Sequence, residues 1–182
     1  MILWRRLDKP GHEAARLVQI GANWQLHGSS VFLHEAQPIR LDYVVLCDDT
    51  FRTRSADVTG WVGEGAVDLH IRAEHDGNWS LNGQRIDEVT GCTDVDLNFS
   101  PSTNLLPIRR LKLKIGERRA VSAAWLRFPS FALERLEQVY RRASEHSYEY
   151  ESGGGSFRST LQTNAEGFVT HYPGFFIAET GS

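Results

Sequence analysis

Apolar and polar residues alternate with a period of two along most of this chain, the spacing of a strand with one face buried. Over residues 24–33, Trp24, Leu26, Gly28, Ser30 and Phe32 fall on one face, and Gln25, His27 and Ser29 on the other. Gly28 in mid-strand predicts a bulge or a close backbone approach. Residues 66–75 put Val67, Leu69, Ile71 and Ala73 inward, with Asp68, His70, Arg72 and Glu74 outward. Residues 39–47 are the most apolar and predict a central strand. Residues 50–62 alternate again, with Arg52 and Arg54 opposite Phe51 and Thr53. Shorter strands are expected over 2–8, 93–99, 108–115, 121–128, 148–150, 157–162 and 168–172.

Turn signals separate these runs. Asn82-Gly83 is a two-residue hairpin signal, and Pro10-Gly11, Asp76-Gly77, Gly116-Glu117, Gly153-Gly-Gly and the stretch from Asn164 to Gly167 mark other reversals. Two stretches are ambiguous. Residues 12–20 could start a helical turn at Glu13, but the turn at Gly21-Ala-Asn23 favours a strand. Leu133, Leu136, Val139 and Tyr140 fit helical spacing inside 132–143. Strands about 8–12 residues apart with regular turns indicate an all-β roll, sandwich or barrel. No internal repeat and no linker interrupt them, so one domain over 1–180 is expected.

Composition narrows the function classes. The chain is 41% hydrophobic with five Trp and nine Phe, enough for a sizeable core. Net charge is −3 and no run of Lys or Arg is present, which argues against a protein held to nucleic-acid phosphates. The N-terminus lacks the apolar stretch of a secretory signal, and the longest apolar run covers only 43–47, so a cytoplasmic chain with no transmembrane helix is expected. Cys47 and Cys92 are accordingly expected to stay as thiols.

Candidate chemistry concentrates between Trp79 and Phe128. On a strand, Asp94 and Asp96 share a face roughly 7 Å apart. That spacing could serve acid–base work or a hard cation, a buried charge network, or a plain polar face opposite Val95, Leu97 and Phe99. If 108–115 is a strand, Arg109 shares the face of Leu111, Leu113 and Ile115 and needs a partner. Pairing with 93–99 through the turn at 101–107 would set Arg109 against Asp94 or Asp96 as a bidentate staple, with Arg110 on the other face beside Lys112 and Lys114. The alternative role for these arginines is to hold a ligand's anionic or sugar-like group. No H-x-H, H-E-x-x-H or C-x-x-C pattern is present, so neither zinc nor another metal is expected, and no cofactor motif occurs. Gly153-Gly-Gly-Ser lacks the Lys of a P-loop, and no serine sits in a G-x-S-x-G context. Trp4, Trp24, Trp61, Trp79 and Trp125 all fall in or beside expected strands, where they either fill the core or line a hollow inside a curled sheet.

The stretches Trp79 to Gly83, Gly91-Cys-Thr-Asp-Val-Asp-Leu-Asn-Phe99, Pro101 to Leu111 with its Pro-Ile-Arg-Arg-Leu, and Trp125 to Pro129 resemble the bacterial family described as putative glycolipid-binding proteins, formerly a domain of unknown function. Tyr140, Tyr148-Glu-Tyr150 and Gly167 to Tyr172 extend the resemblance over essentially the whole chain. The resemblance implies a single curved antiparallel sheet forming a spiral roll or half-open barrel, and so favours strand over helix at 133–140, leaving at most one short helix. It implies no catalytic residue.

The expectation is therefore a non-enzymatic protein that takes a lipid or glycolipid in an apolar groove. Trp24, Trp61, Trp79, Phe99, Arg109 and Trp125 are the expected ligand contacts. Asp94, Asp96, Arg109 and Arg110 are the expected polar network. The alternatives are a hydrolase working through Asp94 and Asp96, and a homodimeric interaction module.

Overall fold

The structure, a computed structural model, describes residues 1–179; residue 180, the end of the expected domain, lies outside the described residues. The first half is a meander of β1 (Ile2–Arg6), β2 (Gly11–Ile20), β3 (Asn23–His34), β4 (Gln37–Cys47), β5 (Thr53–Val62), β6 (Gly65–Ala73), β7 (Trp79–Leu81) and β8 (Gln84–Arg85). The second half holds β9 (Asp94–Leu97), helix α1 (Leu105–Leu111), β10 (Arg118–Arg127), β11 (Ala132–Ser144), β12 (Ser147–Ser152), β13 (Phe157–Thr163), β14 (Val169–Tyr172) and β15 (Phe176–Ala178). All fifteen strands form one sheet in the order β8-β7-β6-β5-β4-β3-β2-β1-β15-β14-β13-β12-β11-β10-β9. β1 and β15 join the two halves by pairing Trp4 with Ala178 and Arg6 with Phe176. The sheet curls without closing into a barrel.

The alternating stretches fold as their period requires. Leu26, Ser30 and Phe32 of β3 are buried, as are Ile39, Leu41, Tyr43, Val45 and Cys47 of β4. Asn82 and Gly83 turn β7 into β8 with φ of 49° and 80°, the left-handed pair of a type I′ turn. Gly28 marks a close approach and not a bulge. It lies opposite Tyr43 in an unbroken register, and a Cβ there would come within 2.1 Å of the Tyr43 ring. The ring covers the bare strand and aims its hydroxyl inward.

Residues 108–115 depart from expectation. They do not form a strand, and no hairpin links them to 93–99. Leu105–Leu111 is a helix, Lys112 caps it in the left-handed region, and Ile115 is 64% exposed. Pro107 fits the first helical turn, where its missing N–H costs no hydrogen bond. The long connection from Asn98 to Glu117 lets β9 run parallel to β10, with Asp94 opposite Ala123 and Leu97 opposite Leu126. Parallel pairing needs such a crossover. Among the described residues it is the one parallel pair in an otherwise antiparallel sheet.

β9 is the inner end of the spiral. Val95 and Leu97 pack into the main core with Trp4, Leu41 and Ile71. The open edge of β9 meets the start of β5, where Thr53 N–H donates to the Thr93 carbonyl (3.1 Å) and Thr53 Oγ1 accepts from Val95 N–H (3.0 Å). That contact covers an edge that would otherwise invite another strand. Residues 99–108 are all buried and fill the space inside the roll. Leu105 and Leu106 join the main core, while Ile108 belongs to a second cluster with Tyr140, Tyr148, Tyr150 and Leu161. The interior is thus packed, and the hollows lie at the two ends of this segment. Cys47 and Cys92 are buried free thiols, and burial pushes them up to about 12 and about 11. No described helix is long and apolar enough to cross a membrane.

Candidate functional site

β9 and the segment after it set the polar floor of a cavity of about 430 Å³. That is within the size range of small-molecule sites. Asp96 comes from β9, and Ser100, Pro101 and Asn104 from the buried segment. Trp125 of β10 and Leu136 of β11 form one wall. Tyr150, Phe157, Tyr172, Phe175 and Phe176 form the other. Four of these rings brace one another: Tyr172 and Phe175 centroids are 5.1 Å apart, Phe157 and Phe175 5.7 Å, Tyr150 and Phe157 6.1 Å, and Tyr150 and Tyr172 6.2 Å. Most meet edge to face, the favourable arrangement for aromatic quadrupoles. Phe175 is the exposed member and stands at the rim.

Asp94 and Asp96 share a face, but their surroundings differ. Arg110 grips Asp94 with Nε on Oδ1 (3.1 Å) and Nη2 on Oδ2, and Thr93 Oγ1 also donates to Oδ2 (2.9 Å). Asp94 is 1% exposed and does not line the cavity. Asp96 faces the cavity and is held by a neutral group: Gln138 Nε2 donates to its Oδ2 (2.6 Å) and also to the Tyr150 oxygen (3.0 Å). Burial pushes the Asp96 carboxyl up to about 6; the Gln138 amide pulls it back, and the charge of Asp94 adds to the rise. Among the described hydrogen bonds Asp96 Oδ1 has none, so it stays available to a hydroxyl donor.

Behind Ser100 lies a buried polar cluster. Ser100 Oγ donates to Glu13 Oε1, Tyr43 Oη lies 2.7 Å from the same atom and 2.6 Å from Ser102 Oγ, and the two serine oxygens are 2.7 Å apart. Burial pushes Glu13 up to about 7 against the pull of Ser100, Tyr43 and Arg6. Glu13 Oε2 and Ser30 Oγ, on residues directly opposite across β2 and β3, are both buried without a partner.

The expected residues fall in different places. Trp125 and Asp96 line the aromatic cavity. Trp24 and Arg109 line a second one, of about 660 Å³, at the C-terminal end of α1. Trp79 and Phe99 are packed in the core, and Trp79 Nε1 donates to the Cys92 carbonyl (3.2 Å). Trp61 is 37% exposed on β5 and lines neither cavity. Of the expected polar network, Arg110 holds Asp94 from the helix and not from a strand, and Arg109 meets no aspartate. A paired-carboxylate hydrolase would need both aspartates in the cleft, and Asp94 is sealed behind Arg110. Tyr150 and Phe157 were missed because each sits in an ordinary strand context far from β9 in sequence. Phe175 lies in the apolar run from Tyr172 to Ile177, which the sequence allows as a seal over a pocket, part of an interface or a last core strand. A further hollow of about 440 Å³ crosses the outer faces of β2–β5 beside Arg16, Asp42 and Asp57 and is open to solvent.

The comparisons with known proteins agree with this architecture. A protein-family pattern described as "Putative glycolipid-binding" matches residues 1–178. The crystal structure of a DUF1089 family protein from Pseudomonas aeruginosa superposes with a TM-score of 0.80 at 30% identity, covering 91% of each chain. No curated protein matches the chain. With the match running from the first strand through the last, the chain belongs to the family described as Putative glycolipid-binding.

Proposed function

We propose that this protein is a non-enzymatic binding protein that takes the sugar head group of a glycolipid in the aromatic cavity. One observation carries the reading: a cavity walled by Trp125, Tyr150, Phe157, Tyr172 and Phe175 has Asp96 and Asn104 at its floor. Pyranose rings present an apolar C–H face and a rim of hydroxyls. Aromatic rings suit the face, and a carboxylate or amide with open acceptor positions suits the hydroxyls. Asp96 Oδ1 supplies such a position, and the exposed Phe175 at the rim offers apolar surface to the first carbons of an alkyl tail. The family description supports a glycolipid over a free sugar.

The test is calorimetric titration with octyl glucoside and octyl galactoside below their micelle concentrations. Saturable binding by the wild type is expected. Trp125→Ala should weaken it roughly tenfold or more, and Asp96→Asn by a few-fold to tenfold. Binding that both variants leave unchanged would place the ligand elsewhere.

A further inference from the structure

We propose that the second cavity, the basin at the C-terminal end of α1, is a separate binding site for a phosphate-type oxyanion. Arg109, Lys112 and Arg142 line it, and among the described residues none of the three makes an ion pair. Many of the other arginines are matched to carboxylates, as in Arg5–Glu179, Arg54–Asp48, Arg110–Asp94 and Arg141–Glu149. In the basin neutral carbonyls do the positioning. Arg142 donates from Nη1 to Leu113 (2.9 Å), from Nε to Ser144 (3.2 Å) and from Nη2 to Glu145 (3.0 Å). Arg109 Nη1 donates to the Glu166 carbonyl (3.1 Å). A carbonyl fixes a guanidinium in place and leaves its charge uncancelled. Each guanidinium has five N–H donors, so both keep donors for an incoming oxyanion.

Two aromatic rings also back Arg109. Its guanidinium lies 5.4 Å from the Trp24 ring and 4.9 Å from the Phe51 ring, and these two rings stack at 5.1 Å. Gly167 backs onto its stem, where a Cβ would stand 3.5 Å from Arg109 Cδ, an ordinary contact distance. Lys112 occupies a left-handed cap (φ 48°, ψ 42°) where glycine is the ordinary choice, so a charge sits at the basin at some backbone cost. Two acids, Asp49 and Glu145, also line the basin, but both are exposed, while Arg109 and Arg142 are half-buried. Water screens the acids more than the arginines.

The full chain is titrated with inorganic phosphate and with glycerol 3-phosphate, and floated with phosphatidylglycerol and with phosphatidylcholine vesicles. Binding to at least one phosphate probe is expected, weakening with added salt. Lys112→Gly should reduce it at least about threefold without loss of fold, because glycine suits the left-handed position. Arg109→Gln should reduce it about tenfold or more. Binding of the soluble phosphates assigns a free phosphate ligand. Flotation with phosphatidylglycerol alone, lost in the same variants, assigns an anionic lipid head group. Absence of binding to every phosphate probe, or binding that both variants leave intact, overturns the proposal. Trp125→Ala should leave this binding unchanged, which separates it from the glycolipid reading.

Discussion

The aromatic cavity and the basic basin lie at opposite ends of α1, and their polar groups are managed in opposite ways. Around the cavity, acids are buried against neutral donors. Asp96 faces a glutamine amide, Glu13 faces hydroxyls, and burial raises both toward the neutral form. Around the basin, half-buried arginines are held by neutral acceptors and keep their charge. A carboxyl can discard its charge near neutral pH, while a guanidinium cannot. The same device, a charged group held by uncharged partners, therefore gives a weakly polar pocket at one end and a cationic one at the other. Asp94 shows the third outcome, a charge cancelled by Arg110 and withdrawn from both cavities.

The largest expected effect breaks that third case. Arg110→Gln leaves the Asp94 carboxylate buried with Thr93 as its remaining side-chain donor, and should cost about 3–5 kcal/mol in urea unfolding. Adding Asp94→Asn should recover much of the loss. A single-variant cost below about 1 kcal/mol would show that water reaches the pair.

Next comes the pH dependence from Glu13. Its folded value of about 7 lies above the ordinary 4.5, so the native state holds its proton more tightly than the unfolded chain. Below about pH 4.5 the acid is neutral in both states and carries no penalty. Between about 4.5 and 7 stability is lost as the unfolded chain ionises first, by a total of order 3 kcal/mol. Glu13→Gln keeps an acceptor for Ser100 and Tyr43, carries no charge, and should remove that loss. Parallel pH profiles for wild type and variant would mean that Glu13 is ionised in the fold. Asp96 acts in the same direction over about pH 4–6, more weakly because it borders the cavity.

The smallest effect serves as a control remote from both cavities. Glu35 and Ala36 turn β3 into β4 with φ of 49° and 65°. Ala36→Gly should raise stability by about 1 kcal/mol and Tm by about 2–4 °C, leaving ligand binding untouched. A drop in Tm would show that the alanine methyl packs usefully.

Much of the fold was legible in the sequence because most strands have one covered face. Trp24 to Phe32 and Val67 to Ala73 alternate for that reason, and Asn82-Gly83 names its own turn. The ambiguity at 132–143 and the misreading at 108–115 have different causes. Leu133 packs into the main core, while Leu136 lines the aromatic cavity and Tyr140 joins the second cluster. Apolar residues on both faces of one strand break its alternation and imitate helical spacing, and the strand favoured there by the family resemblance is what forms, as β11. Helix α1 shows the converse. Leu111, Leu113 and Ile115 continue a period of two past the helix end, and Pro107 looked like a turn residue when it sits in the first helical turn. Of the site, Asp96 and Trp125 were legible as an acid and an aromatic in unusual surroundings. Most of the facing wall was not, because Tyr150 and Phe157 meet β9 only through the order of the rolled sheet.

The central claim, that the aromatic cavity holds a sugar-bearing lipid, is tested most directly by native mass spectrometry of the wild type and Trp125→Ala purified from the protein's own host, with lipid analysis after denaturing extraction. The account predicts a glycolipid bound one to one to the wild type and lost from the variant. A wild type that emerges without ligand and fails to take up added host glycolipid, or a lipid retained equally by both proteins, would contradict it.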